Sequence, residues 1–194
     1  MSYNIKKETI KLYKLKDSLM GIRPKARQSI DDKQNIILDG VEVPSCNMEG
    51  EVLSHLSVKE YINAGWKGYY RNNISFQVSD MQYEIFNKKQ MQILAMECYL
   101  FMKKFLPIEW TKEITDCDDF MALYKGIFAV ILWNSGIRNA GSCVGGVKIK
   151  TDKGGHALNF TLINEGYTLY LIEPQNGKLY KLTDKSTEIF YLDI

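Results

Sequence analysis

The chain has 194 residues, 45% of them apolar and 25% charged, which suits one globular domain with additions or a domain plus a small second one. Its formal net charge of +2 is too small to argue for nucleic acid or an anionic membrane as partner, and no run of lysines forms a basic arm. A chain of this size buries enough surface to fold without disulfides or a structural metal.

Charged residues interrupt every apolar stretch of the opening MSYNIKKETIKLYKLKDSLMGI, so it lacks the continuous apolar segment of a secretory signal. The runs MQILAMECYLFM and FMALYKGIFAVILW are interrupted or too short for a membrane span of about 20 residues. The expectation is a soluble, cytoplasmic protein, or one associated with the virion or the host-cell cytoplasm if phage-encoded. Four cysteines (Cys46, Cys98, Cys117 and Cys143) show no C-x-x-C spacing, so they read as free thiols.

In chain order, residues 5–20 mix apolar and basic side chains without a clean period, and 21–34 read as loop. NIILDGVEV predicts two short strands about the turn Asp39-Gly40. Ser57 and Glu60 fit a capping box for a short helix that stops at Gly65. GWKGYYRNN reads as an aromatic loop. From Met81 to Phe105 the apolar residues recur at spacings of three and four, which predicts a helix over 80–105 with Cys98 on its buried face. Thr115 or Asp116 can cap a second helix, whose face carries Phe120, Leu123, Ile127, Val130 and Ile131, with a stop at Gly136. The period then changes. SCVGGVKIK, HALNFTLI, YTLYLIE, KLYKL and EIFYL predict an antiparallel meander of about five strands. A division near residue 80 separates a mixed N-terminal extension, residues 1–79, from a more strongly patterned domain, residues 80–194; the extension's role is open between a pro-segment, a partner surface and an addition packed on the core.

Cys117 differs from the other thiols because it opens a helix. Unpaired amides and the positive end of the helix dipole stabilise a thiolate there. Asp116, Asp118 and Asp119 oppose that effect unless they point away, pair with bases or hold a cation. His156 starts a predicted strand, and an imidazolium beside the sulfur would lower the thiol pKa further. If 157–163 and 167–173 form a hairpin, Glu173 lies across from His156 and can accept the imidazole Nδ1 proton. Asn159 is the alternative orienter, but a regular strand turns its side chain to the opposite face from His156.

The segments DCDDF, GHALNFTL and YLIEPQNGKLY together resemble the papain-like cysteine peptidase domain of fungal agglutinins and related bacterial and phage proteins. They are also similar to bacterial transglutaminase-like cysteine peptidases, although those usually place an aspartate where this chain has Glu173. The resemblance covers roughly residues 80–182. It implies an α+β fold, a papain-like (transglutaminase-like) core with a helical block followed by an antiparallel sheet. It implies Cys117 as nucleophile, His156 as general base and acid, and Glu173 as its orienter. Trp110, Asn159 and Gln175 become secondary candidates for substrate or oxyanion contacts. Calcium enters as an optional ion on Asp119 and Asp118, while the chemistry itself requires no cofactor. No trefoil repeat is visible, so the agglutinins' lectin activity is not carried over. The implied function is a thiol hydrolase cleaving peptide or isopeptide bonds of a protein or peptide substrate through a Cys117 thioester. The alternatives are transglutaminase-like acyl transfer, a peptidoglycan amidase, and a non-catalytic papain-like binding or virion protein.

Overall fold

The two apolar segments flanking Asn164-Glu165-Gly166-Tyr167 form the middle of the main sheet. The computed structural model describes residues 36–38, 41–71, 74, 76–105, 116–137 and 140–194. Strand β7 (Val144–Thr151) pairs antiparallel with β8 (Gly154–Ile163), which pairs antiparallel with β9 (Thr168–Glu173) and through it with β10 (Lys178–Tyr180). The last strand, β11 (Glu188–Asp193), returns to pair with β7 instead of continuing the meander beyond β10. The short strand β4 (Phe76–Gln77) closes the other edge in parallel with β11, giving the order β10-β9-β8-β7-β11-β4.

The turn between β8 and β9 needs positive φ at two positions, Gly166 (φ 70) and Tyr167 (φ 46). The second is unfavourable for a side chain other than glycine's. It is held by a stack of the Tyr167 ring on Tyr61, with centroids 4.3 Å apart, and by a 2.9 Å hydrogen bond donated by the Tyr167 hydroxyl to Glu51.

Helices cover both faces of the sheet. On one face lie α2 (Lys88–Phe105) and α3 (Cys117–Asn134), which bury Leu94, Cys98, Phe101, Tyr124, Ile127 and Phe128 against Val144 and Ile172. On the other, α1 (His55–Trp66) buries Val58, Ile62 and Trp66 against Leu158, Phe160, Leu169 and Leu171. Helix α3 starts where the acidic run predicts, with Asp116 as cap accepting from the Asp118 amide. It ends before Gly136, whose φ of 85 suits glycine.

Several local expectations change. Residues 82–85 are not helical. They form β5 (Gln82–Ile85), where Tyr83 and Ile85 are fully buried and the backbone pairs with β3 (Glu51–Ser54) and β6 (Gly141–Ser142). The spacing of Met81 and Ile85 imitates one helical turn, but pairing across the sheet prevails. The cap of α1 is Ser54, not Ser57, and the helix passes through Gly65 to Trp66. A side chain at Gly65 would bring its Cβ within 2.8 Å of Leu169, so the glycine marks close packing rather than a helix stop. The two short strands around Asp39-Gly40 are present as β1 (Ile37–Leu38) and β2 (Val41–Glu42), an antiparallel pair.

The expected chain order, a helical block followed by an antiparallel sheet, is also corrected. Strands β3, β4 and β5 are interleaved with the helices, and β4 and β6 each pair in parallel. From the N-terminal part, α1 packs on β8 and β9, and β4 is part of the main sheet. Trp110, Thr115 and the segments 5–20 and 21–34 lie outside the described residues.

Candidate functional site

Residues 154–156 begin β8 beside the turn from β7, and Glu173 ends β9. Asn159 pairs with Ile172, so Glu173 falls one step further along, diagonal to His156 on the same face. The two side chains meet, with His156 Nε2 2.8 Å from Glu173 Oε2. The contacting nitrogen is Nε2, where the sequence suggested Nδ1. The imidazole therefore presents Nδ1 away from the carboxylate. The second oxygen of Glu173 accepts from the Gln175 amide at 3.2 Å, so the turn after β9 holds the carboxylate in place. Gln175 contributes its backbone to the pair.

His156 of this pair borders an open depression of about 480 Å³. Its walls include Ile149, His156, Leu171, Tyr180, Leu182 and Asp184. The Tyr180 side chain, 39% exposed, pairs across from Leu171, and its phenol is held well above its usual pKa by burial and by Glu173. Asp184 accepts hydrogen bonds from the Ser186 amide at 2.9 Å and hydroxyl at 2.8 Å, and these hold its carboxyl below the usual range. The depression thus combines an aromatic plate, a fixed carboxylate and an oriented imidazole.

Cys117 is not among the residues that line it. The β7–β8 register pairs Lys148 with Ala157 and Ile149 with His156. Lys148 reaches Asp118 on α3 at 2.9 Å, and Asn159 donates to the Met121 carbonyl on α3 at 3.0 Å. Residues 148, 157 and 159 therefore face α3, and by strand alternation His156 leaves the sheet on the other face. Among the described residues Cys117 makes no hydrogen bond to His156 or Glu173. The acids beside it have their own partners. Asp116 caps the helix, and its carboxyl is raised chiefly by sharing a hydrogen bond with Asp118. Asp118 is lowered by Asp116 and by Lys148. No three acid, histidine or cysteine side chains converge as a metal site among the described residues. Asn159 is fully buried and fastens α3 to the sheet.

Cys117 is nonetheless the most accessible thiol. Cys46, Cys98 and Cys143 are buried, and burial pushes all three thiols up, Cys143 to about 12. Cys117 is half-buried at a helix start. Iodoacetamide labelling followed by peptide mass spectrometry should show Cys117 alkylated at least about tenfold faster than the others, since only the thiolate reacts. With no hydrogen bond between Cys117 and His156 among the described residues and the two facing opposite sides of β8, the rate in His156→Ala should be unchanged. A slower rate in that variant would place the imidazole beside the sulfur after all.

Comparison with known proteins decides the family. The model of the ricin-type β-trefoil lectin C-terminal domain matches residues 54–192. The chain belongs to that family. Two solved structures share the fold of this lectin C-terminal domain. A complex of PSL1a with E64 superposes with a TM-score of 0.60 at 22% identity, over 74% of this chain and 51% of that one. The Polyporus squamosus lectin bound to the human-type influenza-binding epitope Neu5Acα2-6Galβ1-4GlcNAc superposes with a TM-score of 0.56 at 21% identity, over 74% and 49%. The chain thus spans about half the length of these two matched chains. No curated protein matches.

These findings overturn the resemblance to papain-like and transglutaminase-like cysteine peptidases, and with it the papain-like fold class. The thiol hydrolase function and the protein or peptide substrate fall with them, because the family model is that of a lectin C-terminal domain and one of the two neighbours is a sugar-bound lectin. The motifs around Cys117, His156 and Glu173 lie within the family match, which also takes in α1 and β4 from the supposed extension. The depression and its Tyr180 and Asp184 walls were missed in the sequence. The only available signal was the aromatic-polar run Lys178–Asp184 after a turn.

Proposed function

We propose that the chain is a non-catalytic carbohydrate-binding module whose sugar occupies the depression beside His156. The observation that carries the reading is the aromatic plate of Tyr180 next to two fixed polar groups, the Glu173-oriented imidazole and the Asp184 carboxylate. A pyranose has an apolar C–H face and a rim of hydroxyls. The Tyr180 ring with Leu171 and Leu182 accepts the first, and directional acceptors bind the second. With Nε2 donating to Glu173, His156 Nδ1 is an acceptor for a sugar hydroxyl, and Asp184 supplies a charged acceptor. Membership of a lectin family and the sialylated epitope bound by the Polyporus squamosus lectin support the same class of ligand.

The test is titration of the chain with Neu5Acα2-6Galβ1-4GlcNAc and with its neutral disaccharide, followed by calorimetry. Tyr180→Ala and His156→Ala should each weaken binding about tenfold, which corresponds to about 1.4 kcal/mol. Cys117→Ala should bind as wild type. Absence of saccharide binding, or full binding by both site variants, would refute the assignment.

A further inference from the structure

Helix α2 turns an apolar stripe to solvent. Its inward face carries Met91, Leu94, Ala95, Cys98, Phe101 and Met102, all buried. At about 100° per residue, Ile93, Met96 and Leu100 fall on the opposite face. Ile93 is 41% exposed, Leu100 is 49% exposed, and Met96 between them is half-buried. A single exposed apolar side chain is ordinary, but a row of them along one helix face marks a contact surface. Core packing explains the inward set and leaves the outward row without a purpose.

Cations bracket the stripe. Lys89 stands one turn before Ile93, and Lys103 and Lys104 stand one turn after Leu100, so the three share its arc of the helix. All three are exposed. Lys88 adds a fourth cation, and Glu97 is the one acid in the 18 residues of the helix. Among the described residues none of these lysines forms an ion pair with an acid. Lys88 Nζ lies 5.4 Å from the centroid of the Tyr170 ring, and Lys181 Nζ lies 5.4 Å from the same centroid, so a fifth cation gathers at the edge of this face. The chain's net charge of +2 conceals the concentration, because the balancing acids lie on other elements.

We infer that the outward face of α2 docks on an anionic lipid bilayer, with the helix lying in the plane of the headgroups. Charge complementarity selects this partner. Ile93, Met96 and Leu100 enter the boundary between headgroups and acyl chains, while the lysine stems run along apolar surface and keep their ammonium groups at the level of the lipid phosphates. A nucleic acid would take the cations but leave the apolar row facing water. No described helix is long and apolar enough to cross a membrane, so the contact is peripheral. The inference goes beyond the saccharide reading and does not depend on it, since His156 leaves the sheet on the face opposite α2.

The inference is tested by co-sedimenting the whole chain with vesicles of phosphatidylcholine containing about 30% phosphatidylserine, and with vesicles of phosphatidylcholine alone. Partition into the anionic vesicles should be at least about tenfold greater at low ionic strength and should fall steeply in about 0.5 M salt. Lys89→Glu/Lys103→Glu should weaken it at least about tenfold. Ile93→Ser/Leu100→Ser keeps every charge and should also weaken it about tenfold. Lys59→Glu/Lys67→Glu makes the same charge change at exposed positions on and beside α1, across the sheet, and should bind as wild type. These side chains are exposed, so each variant should melt within about 2 °C of wild type. No partition into the anionic vesicles, equal partition into both kinds, or an equal loss in the α1 variant overturns the inference. Binding that the α2 lysine variant loses and the Ile93/Leu100 variant keeps also overturns it, and assigns the cations to a soluble acidic partner.

Discussion

Gly145→Ala is expected to destabilise the chain by about 3 kcal/mol or more, at the upper end of what overpacking a core costs. Gly145 is the second residue of β7, opposite Phe160. A Cβ there would sit 2.2 Å from the Asp193 carbonyl oxygen of β11 and 2.3 Å from the Phe160 ring. Neither neighbour can retreat cheaply. The carbonyl belongs to the backbone of the adjacent strand. Phe160 is fully buried with its ring edge-on to Trp66 at 5.1 Å. Alanine must therefore part β7 from β11 or drive Phe160 into the packing of α1. Urea titration should show a lower midpoint with an unchanged slope, and the melting temperature should fall by roughly 6–12 °C. Gly68→Ala is the control, since its Cβ meets nothing within 4 Å, and it should leave stability nearly unchanged. A melting temperature for Gly145→Ala within about 2 °C of wild type would contradict this packing.

The same glycines show what could be read from the sequence. The pattern SCVGGVKIK predicts the strand, and the two apolar runs around NEGY predict the hairpin that joins His156 to Glu173; both are present. Local signals suffice there, because a strand and its adjacent partner are set by alternation and turn length. What local signals could not supply was the face on which α3 packs. From Ala157 to Ile163 every residue of β8 is buried, so the strand has helices on both sides and no polar alternation to tell them apart. Asn159 does point away from His156, as strand alternation requires. It is Asn159, however, and not His156, that faces the helix carrying Cys117. The pairings β11–β7 and β4–β11 likewise join segments far apart in the chain and leave no local mark.

Asn159 also carries the second large effect. Its amide nitrogen donates to the Met121 carbonyl at 3.0 Å and the Gly145 carbonyl at 3.2 Å, while its own oxygen is buried without a partner among the described residues. One side chain thus ties α3 to β7 from the middle of β8. Asn159→Asp keeps the shape but exchanges the donor for a carboxylate facing two carbonyl oxygens. At neutral pH an uncompensated buried charge should cost about 3–5 kcal/mol. Burial and the facing carbonyls raise the pKa of the new carboxyl above its unfolded value of about 3.9. The folded state then binds more protons than the unfolded state between the two values, so stability relative to wild type falls as pH rises through that window. The slope approaches about 1.4 kcal/mol per pH unit. Below the unfolded pKa the protonated acid can donate one of the two lost bonds, and most of the penalty disappears. Asn159→Leu loses both bonds without adding a charge, so it should cost about 2 kcal/mol at every pH. Denaturation of the three proteins at pH 4 and pH 7 separates these outcomes. If Asn159 were a solvent-accessible site residue, the aspartate would ionise near its ordinary pKa, and its difference from wild type would stay small and flat between the two pH values.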